Sequence, residues 1–418
     1  MASRVAENLA TIKPGTLFAG VDVAQETHVV TVVTQQAQRV ARFTFANTRA
    51  GFEVFFQRLE TLQRQHQAPA VLIAMEPSGH WWEPLAQETA ERQGRYVLVN
   101  AYTVHQRRAG DALDRSKDDW RDSATVTELA RTGVFTQTQL LEGDYADLRQ
   151  LGARLETTAR EIARHKNRLR ADIVAIFPEF FTVFKDMLGL TAQAVLAHDV
   201  VPAHIALTDA ATWVAGVRGA FRGTRLGVTR LMALRAVAAD SIGRRAGARA
   251  FQRTIRHTLQ TLRLLQEQER DLQQAIREQV TSVPGYAYAL TLPGMSLLTL
   301  GRILGHMGDP GRFRKARQVV KLAGIQPTPQ ASGKRSRSKT PMSRQGRAGL
   351  RTVVYFATLR AIHGDAAFRQ AYQRLQERPG HPLCKMEAVG VMMNKLLRIL
   401  WTLLVQGVAY DPPLAFAA

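Results

Sequence analysis

The sequence predicts an α/β N-terminal domain, a helical middle built on a coiled-coil hairpin, and a mainly α C-terminal domain. Three observations predict it. Five β-rich runs crowd the first hundred residues. Leu148, Leu155, Ile162, Leu169 and Ile176 then recur every seven residues. Past Thr281, apolar helical segments enclose one long stretch, 324–351, that has no apolar periodicity. A chain of 418 residues is too long for one ordinary core. The expected divisions are 1–140, 141–282 and 283–418, with a helical tip insertion at about 180–225 inside the middle one.

Taken in order, "LFAGVDV" (17–23), "HVVTVVT" (28–34) and "ARFTF" (41–45) read as three closely spaced strands. Phe52, Phe55, Phe56, Leu59 and Leu62 lie on one face of a helix. "AVLIAME" (70–76) is a continuous apolar run, the mark of a buried strand. A helix from Trp81 to Arg92 and a fifth strand, "RYVLVN" (95–100), follow. "HQRRAGDALDRSK" reads as a polar, basic connection, and 118–132 as a helix, giving β-β-β-α-β-α-β-α. The heptad stripe stops at "FPEFF", because Pro178 cannot continue a helix. A second stripe (Phe251, Ile255, Leu262, Leu265, Leu272, Ile276) suits an antiparallel partner for the first, or a plain helical bundle. "LPGMS" (292–296) reads as a turn between two helices that offers backbone N–H groups to a phosphate. Two helices close the chain, the last being "EAVGVMMNKLLRILWTLL" (387–404).

Composition narrows the partners. There are 56 Lys and Arg against 35 Asp and Glu, a net charge of +21. So basic a balance is most simply matched by DNA or RNA. The single cysteine, Cys384, excludes an internal disulfide or a Cys-rich zinc site and suits a reducing cytosol. "MASRVAENLATIKPG" has no apolar core of a signal peptide, and no span of about eighteen uninterrupted apolar residues suggests a membrane helix. The expected location is the cytoplasm. Between the apolar segments "VVKLAGI" and "LRTVVYFATLRAI", Lys334, Arg335, Arg337, Lys339, Arg344, Arg347 and Arg351 give a stretch with no acid. A disordered basic linker and a nucleic-acid surface both fit it; the pinned ends favour the surface.

Against this background "SKDDWRDSA" (116–124) is an acidic knot. Asp22 and Glu76 close two strands, and Asp119 and Asp122 are three apart on one helix face. Asp118 and Asp122, four apart, share a face as well. Singly, each acid suits a cap or turn. Four carboxylates at one sheet rim would repel unless a cation joined them, and hard oxygen donors suit Mg²⁺ or Mn²⁺. Two such ions serve phosphodiester displacement.

The acids on the first strand, the fourth strand and the following helix resemble the ribonuclease H-like arrangement in its RuvC resolvase variant. More narrowly, "GVDVAQETHVV", "AMEPSGHWWEPLA" and "SKDDWRDSATVTELA" resemble the DEDD transposases of bacterial insertion sequences, relatives of the Piv invertase. The family's Lys-Thr-Asp-x-x-Asp-Ala pattern is met by Lys117, Asp119 and Asp122, with Asp118 at the Thr and Ser123 at the Ala. The blocks at 292–335 and 343–357 are similar to the family's C-terminal transposase domain. The resemblance implies a DNA recombinase with Asp22, Glu76, Asp119 and Asp122 as catalytic metal ligands. It implies Ser332, beside Gly333, as the nucleophile. It also implies donor and target DNA, a structured guide (bridge) RNA, and dimers that assemble to tetramers. Lys117, Gly333, Lys334, Arg335, Arg337, Lys339, Arg344 and Arg347 are the expected nucleic-acid contacts. From residue chemistry alone, Ser336, Ser338, Thr340 and Ser343 compete with Ser332. A metal-dependent junction resolvase using the acids alone, or a non-catalytic nucleic-acid scaffold, are the alternative functions.

Overall fold

The computed structural model describes residues 2–77, 79–111, 118–136, 140–328, 331–332, 335–336 and 340–416, without the side chains of 2–4, 108–111, 331–332 and 335–336. The chain divides into two compact units, Met1–Leu140 and Leu141–Ala418.

The first unit opens with helix α1 (Ala2–Leu9) and strands β1 (Leu17–Asp22), β2 (Thr27–Val33) and β3 (Arg39–Ala46). Helix α2 (Arg49–Gln65), β4 (Val71–Met75), α3 (Trp82–Glu91), β5 (Arg95–Leu98), α4 (Ala101–Asp111) and α5 (Asp119–Arg131) follow. The strands form one sheet in the order β3-β2-β1-β4-β5. β1 pairs antiparallel with β2, and β2 with β3; β1 with β4 and β4 with β5 pair parallel. This mixed sheet is compatible with the ribonuclease H-like expectation. α4 corrects the reading of 105–117 as a connection as far as Asp111, residues 112–117 lying outside the described ones: Asn100 Oδ1 accepts the N–H of Tyr102 at 2.8 Å and Val104 is fully buried, so a cap and one apolar anchor start a helix that the basic composition hid.

Alternation along β1 sends its residues to two different cores. Leu17, Ala19 and Val21 meet Phe52, Phe55 and Phe56 of α2 and Leu85 and Ala86 of α3. Phe18 faces the other way, onto Leu72 and Ala74 of β4 and Val126, Leu129 and Ala130 of α5. α2 starts cleanly because Thr48 caps it, accepting the N–H of Gly51.

The second unit is built on α6 (Gly143–Ile176). Short helices α7 (Phe180–Val183), α8 (Leu190–His198), α9 (Pro202–Leu207), α10 (Ala210–Ala220) and α11 (Val228–Ala239) lead to a second long helix, α12 (Ala248–Gln279). α6 and α12 run antiparallel along each other: Gln279 reaches Asp144 at 2.7 Å near one end, and Thr254 faces Asp172 near the other. All five residues of the first heptad stripe are buried. The tip helices reach Ala239, beyond the expected 225, because Leu231, Leu234 and Ala238 complete the core around Phe177, Phe180 and Trp213.

The chain closes with α13 (Tyr286–Leu290), α14 (Leu297–Met307), α15 (Ala316–Leu322), strands β6 (Ala331–Ser332) and β7 (Arg335–Ser336), and helices α16 (Ala348–Gly364), α17 (Ala366–Glu377), α18 (Lys385–Gln406) and α19 (Pro412–Phe416). Leu148 and Leu155 of α6 and Ile276 of α12 belong to the core of this region, so apolar packing runs across the expected division at 282/283. α18 is long and apolar enough to cross a membrane, but Leu396, Leu397 and Leu400 are fully buried in that core. Within 324–351 the described residues include paired backbone rather than loop alone. Thr328 and Pro341, and Ser343 and Gln326, are joined by backbone hydrogen bonds of 2.9 Å, and β6 pairs with β7 further out. Backbone pairing of this kind leaves no apolar pattern to read.

The "LPGMS" turn packs closely against α16. A Cβ on Gly294 would lie 2.3 Å from the carbonyl oxygen of Ala357, and Arg360 donates to the Gly294 carbonyl and to Thr299. Ser296 caps α14 by accepting from the Thr299 N–H. At the far end of α14, the guanidinium of Arg149 lies 3.0 Å from His306 Nδ1. A guanidinium has no acceptor, so Nδ1 accepts, and Nε2 carries the proton and donates to Glu156 at 2.9 Å. Burial pushes His306 below the ordinary histidine range, against the pull of Glu156 and with that of Arg149 and Arg347. The neutral ring is thus a folded-state requirement. Its stabilisation is complete above pH of about 6.5 and is lost as pH falls through the lower folded value. The melting temperature should therefore drop more steeply below pH of about 6.5 in the wild-type chain than in His306→Gln; equal pH profiles would show that His306 carries no such linkage.

Candidate metal centre

Asp22 is the last residue of β1 and, by alternation, shares the face of Phe18 and Gly20, which α5 covers. α5 lies unusually close there. A Cβ on Gly20 would stand 2.1 Å from Thr127 Oγ1 and 2.5 Å from the Ser123 carbonyl oxygen, so only glycine lets helix backbone meet strand backbone. Hydroxyls fix the contact: Ser123 Oγ and Thr31 Oγ1 are 2.8 Å apart, and Thr127 Oγ1 lies 2.6 Å from the Ser123 carbonyl and 3.1 Å from that of Thr31. Ser123 and Thr127 are buried and accounted for by these partners. Ser123, the departure from the family's Ala, thus carries a hydrogen bond across to β2.

The start of α5 is set by Asp118, which accepts the N–H of Trp120 at 3.0 Å as the N-cap. Asp and Thr are both good caps, so Asp118 does here what a Thr at that position of the pattern could do. The cap turns the carboxylates of Asp119 and Asp122, both in the first helical turn, toward the rim. Asp122 is buried, Asp119 exposed and Asp22 half-buried.

These placements bring Asp22, Asp119 and Asp122 together, with one carboxylate oxygen of each within 4.8 Å of the others. An octahedral Mg²⁺ with bonds of about 2.1 Å spaces its ligand oxygens about 3.0–4.2 Å apart, so a small side-chain contraction would close the three onto one ion. The donor set is all oxygen, which suits Mg²⁺ or Mn²⁺ and disfavours softer metals. Three like charges at this range, at a helix N-terminus, also favour a cation over mutual repulsion. Glu76 follows β4 directly. Val21 pairs with Met75, so Glu76 sits at the neighbouring strand end, half-buried, on the face that alternation assigns to Leu72 and Ala74. It stands outside the group of three.

Sequence reasoning missed His28. It is fully buried, and its Nδ1 accepts the N–H of Ala24 at 3.1 Å, pinning the turn that leaves Asp22. Burial lowers its pKa, outweighing the opposite pull of the Asn47 side chain. A polar residue alternating with Val30 and Val32 on an otherwise apolar strand was the available signal. Gly20, two residues before Asp22 inside a strand, was another.

Of the expected nucleic-acid contacts, Lys117, Gly333, Lys334, Arg337 and Lys339 lie outside the described residues. Ser332 sits in β6 with its backbone paired to Arg335 of β7. Arg344 is exposed. Arg347 is half-buried and donates to the carbonyl of His306, so part of its function is to hold the fold. The acids belong to the first compact unit and Ser332 to the second.

Known proteins resemble the chain along most of its length. Residues 19–178, which include all four acids, match the profile of the DEDD transposases of the IS110 type, described as transposase. Residues 286–373, which include Ser332, match the profile described as transposase IS116/IS110/IS902 family. The mini-circle putative transposase for IS117 of Streptomyces coelicolor is 26% identical over 380 residues, 87% of this chain and 88% of that one. The insertion element IS900 uncharacterized 42 kDa protein of Mycobacterium paratuberculosis is 24% identical over 407 residues, 96% of this chain and 99% of that one.

Saturating Mg²⁺ or Mn²⁺ is expected to stabilise the first unit by about 3–4 kcal/mol, the linkage expected at about 100–1,000 times Kd. Asp22→Asn or Asp119→Asn should remove most of that gain; a melting temperature indifferent to divalent ions in the wild-type chain would rule the centre out. Gly20→Ala should cost about 1–3 kcal/mol by urea denaturation and weaken metal binding along with it, because α5 must move away from β1. A Gly20→Ala chain with unchanged metal affinity would separate the close contact from the site.

Proposed function

The chain belongs to the IS110 family of transposases, and on that premise we propose that it cuts and rejoins the DNA of an insertion sequence with a serine nucleophile assisted by its acidic metal centre. The observation that carries the proposal is the convergence of Asp22, Asp119 and Asp122 at one sheet rim of a transposase-family chain. Glu76, at the adjoining strand end, supplies a fourth carboxylate when the site closes. A bound divalent ion would contribute Lewis-acid stabilisation of a phosphodiester oxygen.

The chain's own residues do the rest. Asp22, Glu76, Asp119 and Asp122 would hold a divalent ion. Ser332, in a ribbon rich in Lys and Arg, attacks phosphorus: the Oγ–P bond forms, one P–O ester bond breaks, and the displaced deoxyribose oxygen takes a proton as the hydroxyl loses one. Attack by a second deoxyribose hydroxyl on the phosphoserine reverses these changes and joins a new strand, so one ester is exchanged for another with no external energy source. Lys334, Arg335, Arg337, Lys339 and Arg344 hold phosphates near the nucleophile, and Lys117 does so beside the acids. The net charge of +21 supports a large polyanionic partner, and a structured guide RNA pairing with donor and target DNA accounts for sequence choice without a groove-reading helix. The working assembly is a dimer pairing to a tetramer, in the bacterial cytoplasm.

Ser332→Ala should abolish strand exchange and any protein–DNA adduct that survives denaturation, while DNA binding persists. Cleavage that continues in Ser332→Ala would instead make the chain a nuclease or resolvase that uses the acids alone. Sequencing the RNA that copurifies from the native host addresses the guide: a single structured species is expected, and bulk cellular RNA alone would sink guidance.

A further inference from the structure

Where α14 ends, guanidinium groups crowd together much as carboxylates do at the rim of the sheet. Arg347 donates to the carbonyl of His306, Arg312 to that of Met307 at 2.7 Å, and Arg149 to His306 Nδ1 at 3.0 Å. All three side chains are half-buried. A helix C-terminus offers its last carbonyls and about half a negative charge, enough for one cation rather than three. The nearby carboxylates do not make up the difference. Glu156 accepts from His306 and lies 3.9 Å from Arg302, and Asp309 faces Arg312 while capping its own turn through the Gly311 N–H. Among the described residues, four guanidiniums, those of Arg149, Arg302, Arg312 and Arg347, thus stand against two carboxylates. Burial, with Arg149 and Arg312 beside it, pushes Arg347 down to about 10, the response of a cation among cations. The Nε atoms of Arg302 and Arg312 are buried without a hydrogen-bond partner.

We propose that Arg149, Arg312 and Arg347 form a seat for one phosphate group, and that its occupant is a backbone phosphodiester of nucleic acid bound at the foot of the 326–343 ribbon. Each guanidinium gives one N–H to the protein and keeps others for a ligand, in a planar fork that matches two phosphate oxygens. The bonds to His306 and Met307 hold the forks in place before the ligand arrives, so little side-chain freedom remains to be lost. The seat adjoins the ribbon's base: the Arg347 N–H bonds the Leu322 carbonyl, and that of Arg344 the Gly324 carbonyl. Around it, Arg314, Lys315, Arg317, Lys321 and Arg344 are exposed, and no ion pair engages them among the described residues. Arg317 and Lys321 are four apart on α15, on the side away from the buried Val319 and Val320. A chain of phosphates leaving the seat meets this row, whereas free inorganic phosphate gains nothing from it. The seat rests on the reading that the chain handles nucleic acid, and not on the metal centre or Ser332.

The test uses the full chain in chelator, so that binding is measured without cutting, with duplex DNA, structured RNA and inorganic phosphate as separate probes. Arg149→Gln and Arg312→Gln, each shown folded by its melting curve, should weaken polymer binding several-fold. Each should also flatten the log affinity against log salt plot by about 0.9 for duplex DNA or about 0.7 for single-stranded nucleic acid, the loss of one phosphate contact. Arg312→Lys should keep the salt slope and lose affinity, because it keeps the charge and loses the fork. The duplex and RNA arms show which polymer the seat holds. Unchanged affinity and slope in both Gln variants for both polymers, together with an unchanged response to inorganic phosphate, would overturn the seat. A response to inorganic phosphate alone, with polymer binding unaffected, would overturn the assignment of its occupant. A wild-type chain that binds neither polymer would overturn the nucleic-acid reading itself; there, a phosphate-induced rise in melting temperature lost in Arg312→Gln would sustain the seat, and no rise would remove it.

Discussion

The candidate centre depends on one close contact, α5 lying on β1 with nothing but a hydrogen at Gly20 between them. Asp22 belongs to the strand and Asp119 and Asp122 to the helix, so the distance among their carboxylates is the distance between the two backbones. A methyl group at Gly20 would lift the helix off the strand. Ser123 and Thr127, tied to Thr31, keep it from sliding. Packing, capping by Asp118 and convergence of charge are thus one arrangement seen at three scales.

The chain solves two opposite electrostatic problems in two separate units. Its first unit concentrates carboxylates where a sheet edge meets a helix N-terminus, a setting that suits a hard cation. Its second concentrates guanidiniums at the C-terminal end of α14, a setting that suits phosphate. A chemistry that moves phosphodiesters requires both signs, one to stabilise the reacting oxygens and one to hold the polymer. The net charge of +21 hides this division.

Much of the fold was legible. The strands at 17–22, 71–75 and 95–98 and the helices at 49–65 and 119–131 follow from alternation, apolar runs and helical spacing. Less legible were elements whose hydrogen bonds are their main support. α4 begins at a polar cap in a basic stretch, and the described residues at 326–328 and 341–343 are held by backbone pairs. The tip read only as one helical insertion ending near 225, because α7 and α9 are too short to show a period and α11 lies beyond that bound.

The sequence by itself determined which residue types could meet: acids at two strand ends and on one helix, cations in one acid-free stretch, a heptad stripe with a partner. Those are local facts of composition and spacing, and spacing survives whatever the chain folds into. Tertiary structure alone decided which of them do meet. It joined Asp22 to Asp119 and Asp122 while leaving Glu76 at the neighbouring strand end, and made Asp118 a cap. It also drew Arg347 inward to the end of α14, where Arg149 arrives from 198 residues away. The reason is that interaction energy depends on distance in space, and only the packing of helix on strand and helix on helix converts separation along the chain into ångströms.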